Sequence, residues 1–189
     1  AVPSPSGDTW SRNSIDKFIL ARLQNSGLQP NAPASKQTLI RRMSYGVCGL
    51  PPTQGELADL DLRKAADHFL SDSAYGERWG RHWLDVARFG ESTGYEADQD
   101  RRHAYKYRDA VIKALNDDLP YDEFVGWQIA GDELQPNEAR AIALTGFLAA
   151  GPSITNEGGD RVKYAKLDDV VSTTGSAFLG LTVGCARCH

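Results

Sequence analysis

The stretch that decides the fold is Tyr75-Gly76-Glu77-Arg78-Trp79-Gly80-Arg81-His82-Trp83-Leu84-Asp85-Val86-Ala87-Arg88-Phe89. Its large apolar residues recur at helical spacing. Trp79, His82, Trp83 and Val86 share one side, and Arg78, Arg81, Asp85 and Arg88 lie mostly away from it. This is an amphipathic helix over about 75–89, with the Trp/His side turned to the core.

Outward from it, the same period recurs. Toward the N-terminus, Ile15, Phe18, Ile19 and Leu23 form a stripe between a cap at Asn13 or Ser14 and a stop at Gly27. Ser35 caps a helix carrying Leu39, Ile40, Met43 and Val47, ended by Gly49 and Pro51-Pro52. Thr53-Gln54-Gly55-Glu56 has the capping-box form and opens a short helix, and another runs through Ala65, Ala66, Phe69 and Leu70.

Toward the C-terminus, Gly90 to Arg102 is a polar loop. Ala104 to Leu119 is helical, with Tyr107, Val111 and Leu115 on one stripe, and Pro120 stops it. Tyr121 to Leu134 follows, placing Phe124, Val125, Gln128 and Ile129 together. Asn137 caps a further helix up to Ala150. Gly151 to Asp160 is a second loop, and Lys163 to Leu179 closes the series despite a β-branched run at Val170 to Thr174. Strand alternation is nearly absent. The fold class is all-α: an irregular multi-helix domain with long loops. Residues 1–12, rich in Pro, Ser and Gly, form an extended arm, and 13–189 form a single helical domain.

Composition agrees. The 189 residues are 41% hydrophobic and 24% charged, an ordinary globular balance that excludes collagen-like and disordered classes. No apolar run approaches the roughly 20 residues of a membrane span. Net charge is −4, and the one basic cluster, Arg101-Arg102-His103 with Lys106 and Arg108, is flanked by acids. A nucleic-acid binder carries a stronger basic footprint. No Ser-His-Asp order, His-Glu-x-x-His or P-loop supports a hydrolase or nucleotide enzyme.

The chemistry lies at the end: Gly184-Cys185-Ala186-Arg187-Cys188-His189. Cys-x-x-Cys-His is the attachment motif of c-type haem. Two cysteines three positions apart present both sulfurs to the haem vinyl groups, and the adjacent His189 offers its imidazole to the iron as proximal ligand. Covalent attachment holds haem c without a large pocket. Three other readings stand beside it. Cys48, Cys185, Cys188 and a histidine are the donor types of a zinc tetrahedron, although Cys48 lacks a knuckle-spaced partner. A thioredoxin-like dithiol requires a βαβ context that is missing. The pair could also be a plain disulfide or a chance match.

For the opposite face of the iron, the candidates are Met43, the single methionine, read as core; His82, read as lying in a water-poor aromatic pocket; His103, on a polar loop; and His68, read as surface. His82 and His103 are the preferred metal candidates beside His189. Trp79, Trp83, Trp127, Tyr105 and Tyr107 are read mostly as core, and Arg101 and Arg108 as candidate propionate partners. Glu91, Glu96, Asp98 and Asp100 form an acidic loop, read as solvated, without the glycine and final Glu of an EF-hand.

Several stretches together resemble one family. They are Arg41-Arg42-Met43-Ser44-Tyr45 running to Gly49-Leu50-Pro51-Pro52-Thr53; Tyr75-Gly76-Glu77-Arg78-Trp79 with Arg81-His82-Trp83-Leu84-Asp85-Val86-Ala87-Arg88; Tyr107-Arg108-Asp109; Gln128-Ile129-Ala130-Gly131-Asp132; Thr155-Asn156-Glu157-Gly158-Gly159; and Leu179 to His189. The chain resembles the cytochrome-associated domain of unknown function abundant in planctomycetes and related bacteria. Met43, Gly46 and Cys48 depart from the usual Leu, Asp and Thr, and the family usually continues past the histidine with Asp-His-Lys. The resemblance implies export to the periplasm or cell surface and a haem site at Cys185, Cys188 and His189, but no known reaction. The combined expectation is an exported mono-haem cytochrome that passes electrons to a redox partner protein or a neighbouring haem, with homo-oligomers a route to haem contact. The runner-up is a haem oxidoreductase with an open sixth position, and the third is a structural zinc or disulfide module.

Overall fold

The computed structural model describes residues 1–94, 98–153 and 158–188. Among them the chain is helical, and its one β feature is an isolated bridge between Ser92 and Asp100 in the loop after the fifth helix. The chain packs as two units, residues 1–39 and 40–189.

The first unit carries α1 (Ser14–Asn25). Asn13 caps it as its side chain accepts from the Asp16 amide at 3.0 Å, which satisfies one of the donors that a helix start leaves free. α2 (Lys36–Val47) begins in this unit, where Ser35 Oγ accepts from the Thr38 amide at 3.3 Å.

The second unit holds two clusters of buried apolar side chains. The smaller one joins Ile40 and Cys48 to Ala65, Phe69 and Ala74, with Met43 and Leu57 packed against it. Met43 is thus a core residue, as its helical position suggested. α3 (Gln54–Asp59) and α4 (Ala65–Leu70) complete this region. The Thr53 capping box forms in full: Thr53 Oγ1 accepts from the Glu56 amide and Glu56 Oε2 accepts from the Thr53 amide at 2.6 Å.

The larger cluster lies between α5 (Ala74–Val86), α6 (Tyr105–Asn116), α7 (Tyr121–Leu134) and α8 (Ala139–Leu144), which runs on into a 3₁₀ segment, Thr145–Ala149. Here the periodicity argument held for Trp83 but not for Trp79, His82 and Val86 of the same stripe. The buried positions are Ala74, Gly76 and Gly80, with Trp83 partly buried and Ala87 fully so. Trp79 is 42% and Val86 46% exposed, and His82 is exposed beside them. The cause is steric. A methyl at position 76 would lie 2.5 Å from the Ile112 carbonyl oxygen, and one at 80 would lie 3.0 Å from Ile112 Cγ1. Two glycines one turn apart let α5 and α6 approach along their backbones, and Asn116 seals the contact by accepting from the Gly76 amide at 2.8 Å. The face that touches α6 therefore carries almost no side chain.

Two more departures follow from local chemistry. The cap of α8 is Glu138, whose side chain accepts from the Arg140 amide, rather than Asn137, and the helix tightens to 3₁₀ at Thr145. The last helix, α9 (Asp160–Leu179), starts earlier than Lys163 and is not broken by its β-branched run. There Thr174 Oγ1 bonds back to the Val170 carbonyl at 2.8 Å, a contact that lets threonine stay helical.

Candidate functional site

α9 ends at Gly180, whose φ of 64° is the left-handed geometry of a helix C-terminus. The chain then turns back. The Leu181 amide donates to the Gly175 carbonyl at 3.1 Å, and Val183 lies against Gly175, where a Cβ would sit 2.9 Å from Val183 Cγ2. A 3₁₀ turn, Gly184–Arg187, follows, and Arg187 Nη1 pairs with Asp168 Oδ2 at 3.2 Å, tying the turn to α9. Cys185 lies within this turn and Cys188 just after it, both free and exposed.

The returning segment and α9 enclose an apolar groove of about 460 Å³. Tyr164, Leu167 and Val171 line one wall, each more than half exposed, and Val183 and Ala186 line the other. Three apolar side chains at i, i+3 and i+7 facing water ordinarily mark a surface that something covers. Cys185 and Cys188 flank Ala186 and Arg187, which line this groove, so two exposed thiols stand on the short turn that borders an open apolar wall. His189, the expected proximal ligand, lies outside the described residues. So do Glu96 of the acidic loop and Thr155, Asn156 and Glu157 of the second loop.

The other expected residues lie elsewhere. His82 does not sit in a dry aromatic pocket. It is exposed, its ring tilted against Trp79 at 5.5 Å, and it lines a separate cavity with Cys48 and Arg78. The indole on which that reading relied is turned outward because the glycine face of α5 faces α6. His103 is exposed at the start of α6 and lines a third cavity, of about 440 Å³, with Arg102, Lys106 and Ile142. Neither lines the groove beside the cysteines. His68 is on the surface as expected, bonded through Nε2 to Glu56 Oε1 at 2.7 Å, and this bond holds the Glu56 carboxyl below its ordinary value. Tyr107 and Trp127 are core, whereas Trp79 and Tyr105 are exposed. Arg108 is already paired with Glu91 and Asp109, and Arg101 clamps the Ala150 and Gly151 carbonyls at 2.9 and 2.6 Å.

Cys48 is buried and donates to the Phe69 carbonyl at 3.3 Å, and burial pushes its thiol pKa up. It is a packing residue, and among the described residues no three His, Cys, Asp or Glu side chains gather as metal ligands. The Cys₃His zinc set is not assembled among them.

Sequence reasoning placed Gln128 among the apolar residues of its helix but missed its role as a buried polar hub. Gln128 is 0% exposed, and its Oε1 accepts from both Trp83 Nε1 and the Tyr107 hydroxyl at 2.8 Å. Its Nε2 donates to the Phe124 carbonyl at 3.2 Å. The network links α5, α6 and α7 at their centre, and burial pushes the Tyr107 phenol well above its usual range. Its members are spread over 45 positions, so no local pattern marks them.

A family model, PSCyt2, described as a protein of unknown function (DUF1549), matches residues 14–189. The chain belongs to the PSCyt2 family. No curated protein and no solved structure matches it. The PSCyt2 match runs through the cysteine turn and covers both helical clusters of the second unit. The name links the domain to cytochromes without assigning it a reaction. No described helix is long and apolar enough to cross a membrane.

Proposed function

We propose that this PSCyt2 domain is an exported mono-haem c-type cytochrome module that transfers electrons to a redox partner or a neighbouring haem. The observation that carries the reading is two free, exposed thiols on the turn whose Ala186 and Arg187 line the apolar groove of Tyr164, Leu167 and Val171. Cys185 and Cys188 would hold the haem and His189 would ligate its iron. When bound, the group supplies a one-electron Fe(III)/Fe(II) couple. The groove side chains would shield a bound ring from water, and the Arg187–Asp168 pair keeps the turn against α9. The exposure of the turn would leave a haem held there accessible to a partner, as electron transfer requires.

A second reading is favoured by one specific feature. Among the described residues, the groove is lined by no histidine or methionine. An iron without a second protein ligand would bind small molecules, as in an oxidoreductase with an open sixth position. His82 and His103, which open onto other cavities, would then serve no iron in their own chain.

The test is expression of the full chain in cells that mature cytochromes c, followed by a pyridine haemochrome spectrum and intact mass. We expect a c-type reduced α-band and the mass of one haem, both lost in Cys185→Ser/Cys188→Ser. A colourless wild-type protein of unmodified mass would refute the reading. CO binding by the reduced protein would select the open-site form, and its absence the electron carrier.

A further inference from the structure

A second cavity of about 450 Å³ lies between α5 and the loop that follows α2. One wall is Cys48-Gly49-Leu50, and the other is the polar side of α5: Glu77, Arg78, Arg81, His82 and Asp85. The first wall is well anchored. Ser44 Oγ donates to the Leu50 carbonyl at 2.6 Å, and Trp79 Nε1 donates to the Val47 carbonyl at 3.2 Å.

Arg78 is the unusual residue. It is half-buried, its Nε is fully buried without a hydrogen-bond partner, and among the described residues no carboxylate or carbonyl bonds its guanidinium. The chain makes room for it: a Cβ at Gly49 would lie 2.8 Å from Arg78 Nη1, and Gly49 has a φ of +75°. Arg81 reaches the same cavity and, among the described residues, is also in no ion pair. Glu77 and Asp85, each one turn from Arg81 on the same helix, form no ion pair with a described residue either. Arg88 and Arg140 share the buried, unbonded Nε, but their terminal nitrogens are engaged, with Asp169 and Asp117. A partly desolvated guanidinium with no acceptor is unfavourable unless an acceptor arrives from outside.

We propose that this cavity is a binding site for a small organic carboxylate that carries its own hydrogen-bond donors. Arg78 receives the carboxylate on its planar fork, assisted by Arg81 and His82. Glu77 and Asp85 accept from the ligand's hydroxyl or ammonium groups. The two carboxylates on the rim balance the two guanidiniums, which favours a singly charged acid over a phosphate. The cavity is also larger than an inorganic anion needs. The site is independent of the cysteine turn, so the proposal does not rest on haem binding.

The test is a titration of the full chain with gluconate, followed by calorimetry and protein NMR, with sorbitol, acetate and phosphate as comparators. We expect saturable gluconate binding with a dissociation constant of about 1 mM or tighter. Arg78→Gln should weaken it about 10- to 100-fold, the worth of a charge-assisted bond. Arg78→Lys should recover only part, and the exposed Arg63→Gln should change nothing. Because Arg78 makes no internal bond, Arg78→Gln should leave the melting temperature unchanged or raise it. Sorbitol binding as tightly as gluconate, phosphate binding more tightly, no saturation, or affinity indifferent to Arg78 would each overturn the proposal. A lowered melting temperature with unchanged affinity would make Arg78 a packing residue and overturn it as well.

Discussion

Replacing Gly76 by alanine tests the central structural claim, that α5 and α6 touch through a side-chain-free face. In an isolated helix the change is favourable, by about 1 kcal/mol, because alanine loses less conformational freedom than glycine. Here the added Cβ would meet the Ile112 carbonyl oxygen at 2.5 Å and Asn116 Cγ and Oδ1 at 2.6 Å. One obstacle is backbone, so a rotamer change cannot relieve it. The helices must separate, at an overpacking cost of about 1–3 kcal/mol. Separation also strains two hydrogen bonds of Asn116, from the Gly76 amide at 2.8 Å and to the Ser73 carbonyl at 3.0 Å, each worth about 1 kcal/mol. The net expectation is a loss of about 2–4 kcal/mol, or roughly 4–16 °C in melting temperature for a domain of this size. Gly46→Ala is the control: it lies in α2 with nothing within 4 Å of the added methyl, so it should stabilise by about 0.5–1 kcal/mol. Thermal melts by circular dichroism read both. If Gly76→Ala melts at or above wild type, α5 does not pack on α6 by that face and the reasoning fails.

Two further outcomes follow from the buried network and from one surface pair. Gln128→Leu removes the acceptor of the Tyr107 hydroxyl and the nearer of two acceptors of Trp83 Nε1, leaving it the Tyr107 oxygen at 3.1 Å, and should cost about 1–3 kcal/mol in urea unfolding, more than Tyr107→Phe, which leaves the Trp83–Gln128 bond in place; the reverse order would show that Gln128 is not the hub. The His68 hydrogen bond, followed by the Thr53 amide, lowers the folded-state pKa of Glu56 below its ordinary 4.5. A carboxyl depressed in the folded state contributes stability that is present above the unfolded value and is lost as pH falls through the folded one. Acid unfolding of the wild type should therefore be steeper below pH 4.5 than that of Glu56→Gln, and matching slopes in the two proteins would remove Glu56 from the acid response.

Much of the local architecture was legible from residue types alone. Asn13, Ser35 and the Thr53/Glu56 box cap helices where their side chains can satisfy a free amide within three residues. Such signals are short-range, and both partners sit in one window of sequence. The cysteine turn was legible for the same reason. Its surroundings were not. The groove draws on Tyr164, Leu167 and Val171, which look like an ordinary apolar stripe until α9 is seen to leave them uncovered. Arg78 and Arg81 read as a solvated face, because no local feature says that the Gly49 loop closes over one of them.

What the sequence by itself determined was the all-helical class, the order and approximate bounds of the helices, and the cysteine turn. All of these depend on backbone preferences and on residues within about one helical turn of each other. What only the tertiary structure decided was which way α5 faces. Hydropathy gives weight to side chains, so it turned Trp79 and His82 inward. A glycine contributes by what it lacks, and that lack has value only where another backbone, here that of α6 at Ile112 and Asn116, comes close enough to need the space.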